Sequence, residues 1–331
     1  MSDNVKHVRD WILKTGFPLE IETIDVLKGQ GWEVMASTNY FDDDKGKWRE
    51  LDIKAYKSVD CGEAAYTPAW PYRITISLIL QCKKSEKFAW VFFPLTNKQD
   101  LKVGIQHIDF LKVARVQSLA TGEQRSLRWH RFLGVGRDIL VEPPLLRAEV
   151  ARQIKWLSEI VPMNAESFPS LMDGVAASVG TVAPLSGEDR GRDEMFEEAA
   201  TASKATVYEM ENTSYLVHTI LSFLLRQGFT NSIEPRPYLG THIFLPIIVF
   251  DGTMFLWRGR DTQLEETDHV VYLFDHRSPN YFGRRIINVV SKVYVAKLLD
   301  GLESDLSRLV HAFHERRDEL DKQVRLIIQA V

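Results

Sequence analysis

Apolar positions recur along the chain with two different periods. From Val5 to Lys14 they fall on one side of a helix, with Val8, Trp11 and Ile12 together. Gly16-Phe17-Pro18 interrupts this helix, and Pro18 suits the first turn of the next one. That second helix is predicted from Leu19 to Lys28, ending at Gly29 and Gly31. Glu20, Ile24 and Leu27 share one of its stripes. The period then shortens to two. Trp32 to Thr38 and Trp48 to Tyr56 read as antiparallel strands joined by Asp42-Asp43-Asp44-Lys45-Gly46. The three aspartates do not have calcium-loop spacing and are expected at a solvated hairpin tip. Ser58 to Pro71 reads as a polar loop. Ile74 to Cys82 and Phe88 to Phe93 read as strands, and Lys83-Lys84-Ser85-Glu86-Lys87 reads as a hairpin turn between them.

The pattern weakens from Leu101 to Glu142. Ala148 to Ile160 is predicted to be a helix, and Pro162 to Arg192 a long loop or linker. Helical periodicity returns from Asp193 to Gln227, with a break expected near Asn212. His218 on that stretch reads as a core histidine. Strands follow at Thr241 to Phe250, Thr253 to Trp257, His269 to Phe274 and Arg285 to Val290, the first two joined at Asp251-Gly252 as a tight hairpin. Ile243 to Phe250 is apolar on both faces and belongs in the middle of a sheet. Ser291 is expected to cap a long helix with Val295, Leu298, Leu302, Leu306, Leu309 and Phe313 on one stripe. The pattern continues weakly to Ile327, and that stripe could serve an oligomer or a protein partner. Alternating strand and helix signals place the chain in the α/β class. The expected organisation is one elaborated domain: a motif-bearing part at 16–93, an insertion or linker at 94–192, and helices and strands at 193–331 that complete the sheet or form a unit of their own.

Composition narrows the function classes. The chain has 331 residues and a net charge of −4, so no global basic field draws it to nucleic acid. Any such surface must be local. Lys112, Arg115, Arg125, Arg128 and Arg131, with Trp129 and His130 among them, are the candidate patch. Gly134-Val135-Gly136 lacks the third glycine of a dinucleotide fingerprint. Two cysteines, Cys61 and Cys82, fit a reducing, cytoplasmic setting rather than a disulfide framework. The longest apolar run has eight residues and contains Pro246, too short to span a bilayer.

The chemistry-bearing residues gather in the first hundred positions. Asp52 stands on the second predicted strand, and Gln81 and Lys83 on the third. Residues two apart on a strand share a face, so Gln81 and Lys83 project together and Cys82 turns into the core. A carboxylate, an amide oxygen and the Cys82 carbonyl are hard ligands suited to Mg²⁺ or Mn²⁺. An ammonium nearby could orient a water or neutralise phosphoryl charge, and Glu20 could hold an outer water. Each residue has a plainer reading. Asp52 could pair with Lys54 or Arg73, Gln81 could be a core amide, Lys83 an exposed lysine in its turn, and Glu20 a solvated helix residue.

The ordered set Glu20, Asp52 and Gln81-Cys82-Lys83 resembles the PD-(D/E)XK nuclease superfamily, the restriction-endonuclease-like fold. Leu19-Glu20 with Ile24 and Leu27, then Gly31-Trp32, is similar to that family's opening helix and first strand. Gln81 in place of glutamate resembles the Mrr-like subgroup. Leu51 stands where the family has proline before its aspartate, and the spacing from Asp52 to Gln81 is longer than in compact members. The resemblance implies an αβββαβ core with a central mixed sheet flanked by helices. It also implies metal-dependent hydrolysis of phosphodiester bonds, most readily of DNA, in restriction, defence or repair. Two alternatives stand beside it. One is a nuclease-fold scaffold with weak or lost chemistry that binds nucleic acid or protein. The other is an unrelated α/β protein.

Overall fold

A computed structural model describes residues 3–13, 15–64, 67–95, 105–109, 157–164, 166–172, 178–185, 194–227, 239–259 and 263–330. Helices α1 (Asp3–Ile12) and α2 (Phe17–Gly29) lead into an antiparallel meander of β1 (Glu33–Asp42), β2 (Lys47–Ala64) and β3 (Thr67–Lys84). Short pieces follow: β4 (Phe88–Pro94), β5 (Gln106–Asp109), α3 (Leu157–Ile160), α4 (Pro169–Met172) and β6 (Ser178–Pro184). Helix α5 (Glu194–Gln227) then precedes β7 (Leu239–Asp251). Strands β8 (Met254–Leu256), β9 (Glu265–Glu266), β10 (His269–Arg277) and β11 (Phe282–Ser291) come next, and α6 (Val295–Glu315) and α7 (Arg317–Ala330) end the described chain.

The described strands form one mixed sheet in the order β1-β2-β3-β7-β11-β10-β6-β4-β8-β9, with β5 also against β7. β3 and β7 run parallel from Tyr72 beside Leu239 to Lys84 beside Asp251. The two faces have different covers. Leu19 and Leu27 of α2 and the leucine stripe of α6 pack against Ile53, Ile74, Ile76, Leu78 and Leu80. On the other face Ala199 and Ala202 of α5 lie against Ile248 and Phe250, and Ala205 against Ile79. The small alanines let α5 approach the sheet closely. Burial on both faces explains the unbroken apolar run of β7. Pro246 survives in this central strand because one edge is shared. β5 pairs as far as Phe244 and β11 starts at Ile247, so the missing N–H falls between two ladders.

Several sequence expectations are corrected. The stretch expected as a loop at 58–71 is mostly strand. β2 runs into it as far as Ala64 and β3 starts within it at Thr67, and Gly62 (φ 94°) sits where the register shifts between Asp60 and Glu63. Its glycine and prolines mark a bulged strand end rather than a loop. Lys83 to Lys87 is not a hairpin, because β4 leaves β3 to pair with β6 and β8. Asp251-Gly252 likewise joins strands that do not pair with each other. The 162–192 region contains α4 and β6. α5 runs through Asn212 without a break. Ser291 precedes a single 3₁₀ turn and its hydroxyl donates to Asp268 Oδ1 at 2.6 Å instead of capping the helix. The final helix divides at Arg316, whose side chain bonds Glu319 and the Ile160 carbonyl. Its stripe from Leu298 to Phe313 is buried in the chain's own core, so it offers no seam to a partner. No described helix is long and apolar enough to cross a membrane.

The aspartate turn is also not a solvated tip. Asp42 is fully buried, and Lys204 of α5 lies 3.0 Å from Asp42 Oδ1 and 2.8 Å from Asp44 Oδ2. The Asn280 amide donates to Asp44 Oδ1 at 3.2 Å, and the Asp43 N–H donates to the Tyr281 hydroxyl at 3.2 Å. The β1–β2 ribbon is thus fastened to α5 and to the β10–β11 turn. Lys204→Met leaves the buried Asp42 with only the part-exposed Arg49, 3.7 Å away, and the part-buried Asp44 with no ammonium. It is expected to cost about 3 kcal/mol, as when one side of a buried pair is removed. Urea unfolding monitored by tryptophan fluorescence measures it; a loss under about 1 kcal/mol would place these charges effectively in solvent.

Candidate functional site

The β2–β3 ladder runs as far as Ile53 beside Leu80 and then stops, while β3 continues along β7 to Lys84. Asp52 occupies the resulting gap. Its Oδ2 accepts a hydrogen bond from the Cys82 N–H at 2.7 Å. The cause of the gap is a change of face. Ile53 packs toward α2 and α6, whereas Leu51 packs with Tyr40, Ile79 and Ala205 on the α5 side. Residues two apart on a regular strand would share a face. The ribbon therefore turns over between them. Opposite Asp52, between Ala36 and Thr38, stands Ser37, the one described non-glycine residue with positive φ (47°). That backbone strain lets the ribbon turn and frees the aspartate from the ladder.

The Cys82 carbonyl and Glu20 stand at this gap. The N–H and C=O of a strand residue point to the same edge, so the Cys82 carbonyl faces the gap as its N–H does. Glu20 of α2 stands there too. A Cβ added at Gly16 would lie 3.6 Å from Glu20 Oε1 and 3.9 Å from the Cys82 oxygen. The Cys82 side chain is buried with the α2 and α6 core, as its alternation requires. Gln81 and Lys83 project to the opposite face, toward α5. Gln81 is 4% exposed and its Nε2 has no hydrogen-bond partner among the described residues. The Lys83 ammonium lies 3.3 Å from Glu198 Oε1 and 3.6 Å from Glu194 Oε2, both on α5.

The electrostatics are those of a site short of positive charge. Burial is the main force raising the Asp52 carboxyl to about 7, with Glu20, Glu198 and Glu50 adding to it against the Cys82 hydrogen bond. Glu20 is raised by burial and then by Glu50. Glu198 is raised by burial although Lys83 opposes it. Several carboxyl groups compete around one ammonium. Hard oxygen donors in this state suit a divalent cation. No group of three His, Cys, Asp or Glu side chains close enough to hold a metal occurs among the described residues. The oxygen donors that could face a cation at the gap are Asp52, the Cys82 carbonyl and Glu20.

The plainer pairings for Asp52 do not occur. Lys54 bonds Glu209 of α5, and Arg73 bonds Asp60. Lys83 is not an exposed turn lysine either, since its strand continues beyond it. Lys112, Arg115, Arg125, Arg128 and Arg131 lie outside the described residues, as do Gly134-Val135-Gly136 and the side chain of His218. Glu194 and Glu198 escaped the sequence reading. Their only local signal is an acidic pair four apart at the start of a predicted helix, a common helix-starting pattern. Farther along the α5 face of β3, Ser77 and His242 Nε2 lie 2.7 Å apart. Burial depresses the imidazole to about 3, which keeps it neutral.

Comparison of the chain with protein-family models, with curated proteins and with solved structures returns no match.

The Asp52 shift has a consequence for stability. In the unfolded chain this carboxyl ionises near 3.8, and in the folded protein near 7. Between those values the folded state holds the extra proton, so its contribution is full below about pH 4 and is lost as pH rises through 7. Asp52→Asn can still accept from Cys82 N–H and carries no charge. It is expected to unfold at higher urea than wild type at pH 8 and to differ little at pH 4. Equal differences at both pH values would show that Asp52 ionises normally.

Proposed function

We propose that this protein is a metal-dependent nuclease of the PD-(D/E)XK type acting on DNA. The observation that carries the reading is the carboxylate of Asp52 set in a broken ladder, beside the strand that bears the Cys82 carbonyl and Lys83. The order of elements supports it. α2, β1, β2, β3, α5 and β7 occur in the order αβββαβ, with β4, β5, α3, α4 and β6 placed between β3 and α5, and β7 runs parallel to β3.

Asp52 and the Cys82 carbonyl would hold Mg²⁺ or Mn²⁺, with Gln81 Oε1 as a neutral ligand and Glu20 reaching it through water. Such a cation polarises a phosphoryl oxygen and lowers the pKa of water bound to it. Lys83 supplies a fixed positive charge on the phosphodiester and N–H donors to its oxygens as charge develops. Glu20, raised above its ordinary value by burial and then by Glu50, is the better placed of the two carboxyl groups to receive a proton, since Asp52 would be a ligand. The Cys82 N–H holds the Asp52 carboxylate in one orientation, which shortens the search for productive geometry.

A second reading has its own observation. Gln81 is neutral, and Lys83 is already engaged by two carboxylates. A scaffold that binds DNA without cutting it would tolerate both.

With supercoiled plasmid and either Mg²⁺ or Mn²⁺, wild type is expected to cleave. Asp52→Ala and Lys83→Ala are each expected to lose roughly 100-fold or more in rate, the scale of removing one transition-state contact. Intact folding by circular dichroism with no cleavage in either cation would refute the nuclease reading, and retained DNA binding would then favour the scaffold. Gln81→Glu adds a charged oxygen to the shell and should tighten Mn²⁺ binding by about tenfold in calorimetry. Unchanged affinity would remove Gln81 from the ligand set.

A further inference from the structure

We propose that Glu198 of α5 is the positioning residue for Lys83, and that Lys83 addresses the phosphodiester only from the place this carboxylate holds it. What Lys83 does there rests on the nuclease reading. Where it stands rests on geometry alone.

Glu194 and Glu198 are one turn apart and therefore on one face of α5. Both face Lys83, but unequally. Glu198 is within hydrogen-bond distance at 3.3 Å, whereas Glu194 at 3.6 Å is a charge partner only. The Glu198 side chain is also the less exposed, 19% against 30%. An ammonium has three N–H donors and a flexible four-carbon stem. The Glu198 ion pair tethers the end of that stem and leaves the ammonium donors to turn toward a substrate oxygen.

Packing does not explain a glutamate here. Its neighbours Met195, Ala199 and Ala202 fill the buried seam between α5 and the sheet with apolar atoms. A half-buried carboxylate beside Asp52 adds negative charge where there is already an excess, and desolvating it costs free energy. Lys83 is the one group on β3 that offsets this. Lysine at that position without an anchor would sweep between rotamers and spend little time facing the phosphate.

The test follows the lysine directly as well as through activity. The Lys83 Nζ correlation in a ¹⁵N-labelled sample at low temperature and pH 6 reports an ordered, hydrogen-bonded ammonium. It is expected in wild type, retained in Glu194→Gln, and lost in Glu198→Gln. Glu198→Asp keeps the charge but withdraws the oxygen by one methylene, and should weaken the signal without unfolding the protein. In plasmid cleavage, Glu198→Gln is expected to lower kcat about 10- to 100-fold, the range for groups that orient a site residue, with KM changed little. A Lys83 signal unaffected by Glu198→Gln overturns the positioning role, whether or not DNA is cut. Signal lost with kcat unchanged also overturns it. Signal lost in a protein whose wild type cuts no DNA upholds the anchoring of Lys83 and removes only the nuclease reading.

Discussion

A hydrogen bond from one backbone N–H to one carboxylate organises this molecule's candidate chemistry. Where β2 stops pairing with β3, the Cys82 N–H would face an empty edge, and a buried donor without a partner is costly. Asp52 satisfies it at 2.7 Å. The side chain replaces the missing ladder and is pinned at the sheet's opening. The same local event requires the strained backbone of Ser37 and the change of face between Ile53 and Leu51. A carboxylate kept half-dry among other carboxylates is expensive for folding and useful for holding a cation.

The surrounding fold makes that expense tolerable. β3 is backed by β7 along thirteen residue pairs, from Tyr72 to Lys84, so the strand carrying Gln81, Cys82 and Lys83 cannot shift register. α2 brings Glu20 from one side and α5 brings Glu194 and Glu198 from the other. The β1–β2 ribbon, after turning over, is fastened through Lys204 and Asn280 to elements far along the chain. Each candidate side chain therefore stands on a helix or strand, and the backbone irregularity at Ser37 lies opposite Asp52.

Much of this was legible in the residues. Period-two alternation located β3, and with it the shared face of Gln81 and Lys83 and the inward turn of Cys82. The helix stripe of α2 placed Glu20 toward the sheet. The double-sided apolar run of β7 marked it as central. What stayed hidden was long-range pairing. Asp42 reads as a turn residue because its partner Lys204 is remote in sequence, and nothing near the turn announces a buried ammonium. Glu198 reads as an ordinary helix-start acid for the same reason. Ser85-Glu86 reads as a hairpin turn because polar residues between strands do not reveal that the second strand goes to another edge. The bulge at Gly62 shows the opposite error, where glycine suggested a loop and the backbone used it to stay in the sheet.

The parallel union of β3 with β7 also bears on how the chain can be divided. The motif-bearing residues all precede Pro94, which makes the first quarter look like a portable module. Released there, β3 would present a long, flat, apolar margin of unsatisfied amides and carbonyls, the template for indiscriminate strand addition. The fragment would carry Glu20, Asp52, Gln81, Cys82 and Lys83 but not Glu198 of α5, and would be prone to stacking into insoluble aggregates. Solubility of the N-terminal portion is in this sense a property lent to it by residues synthesised much later.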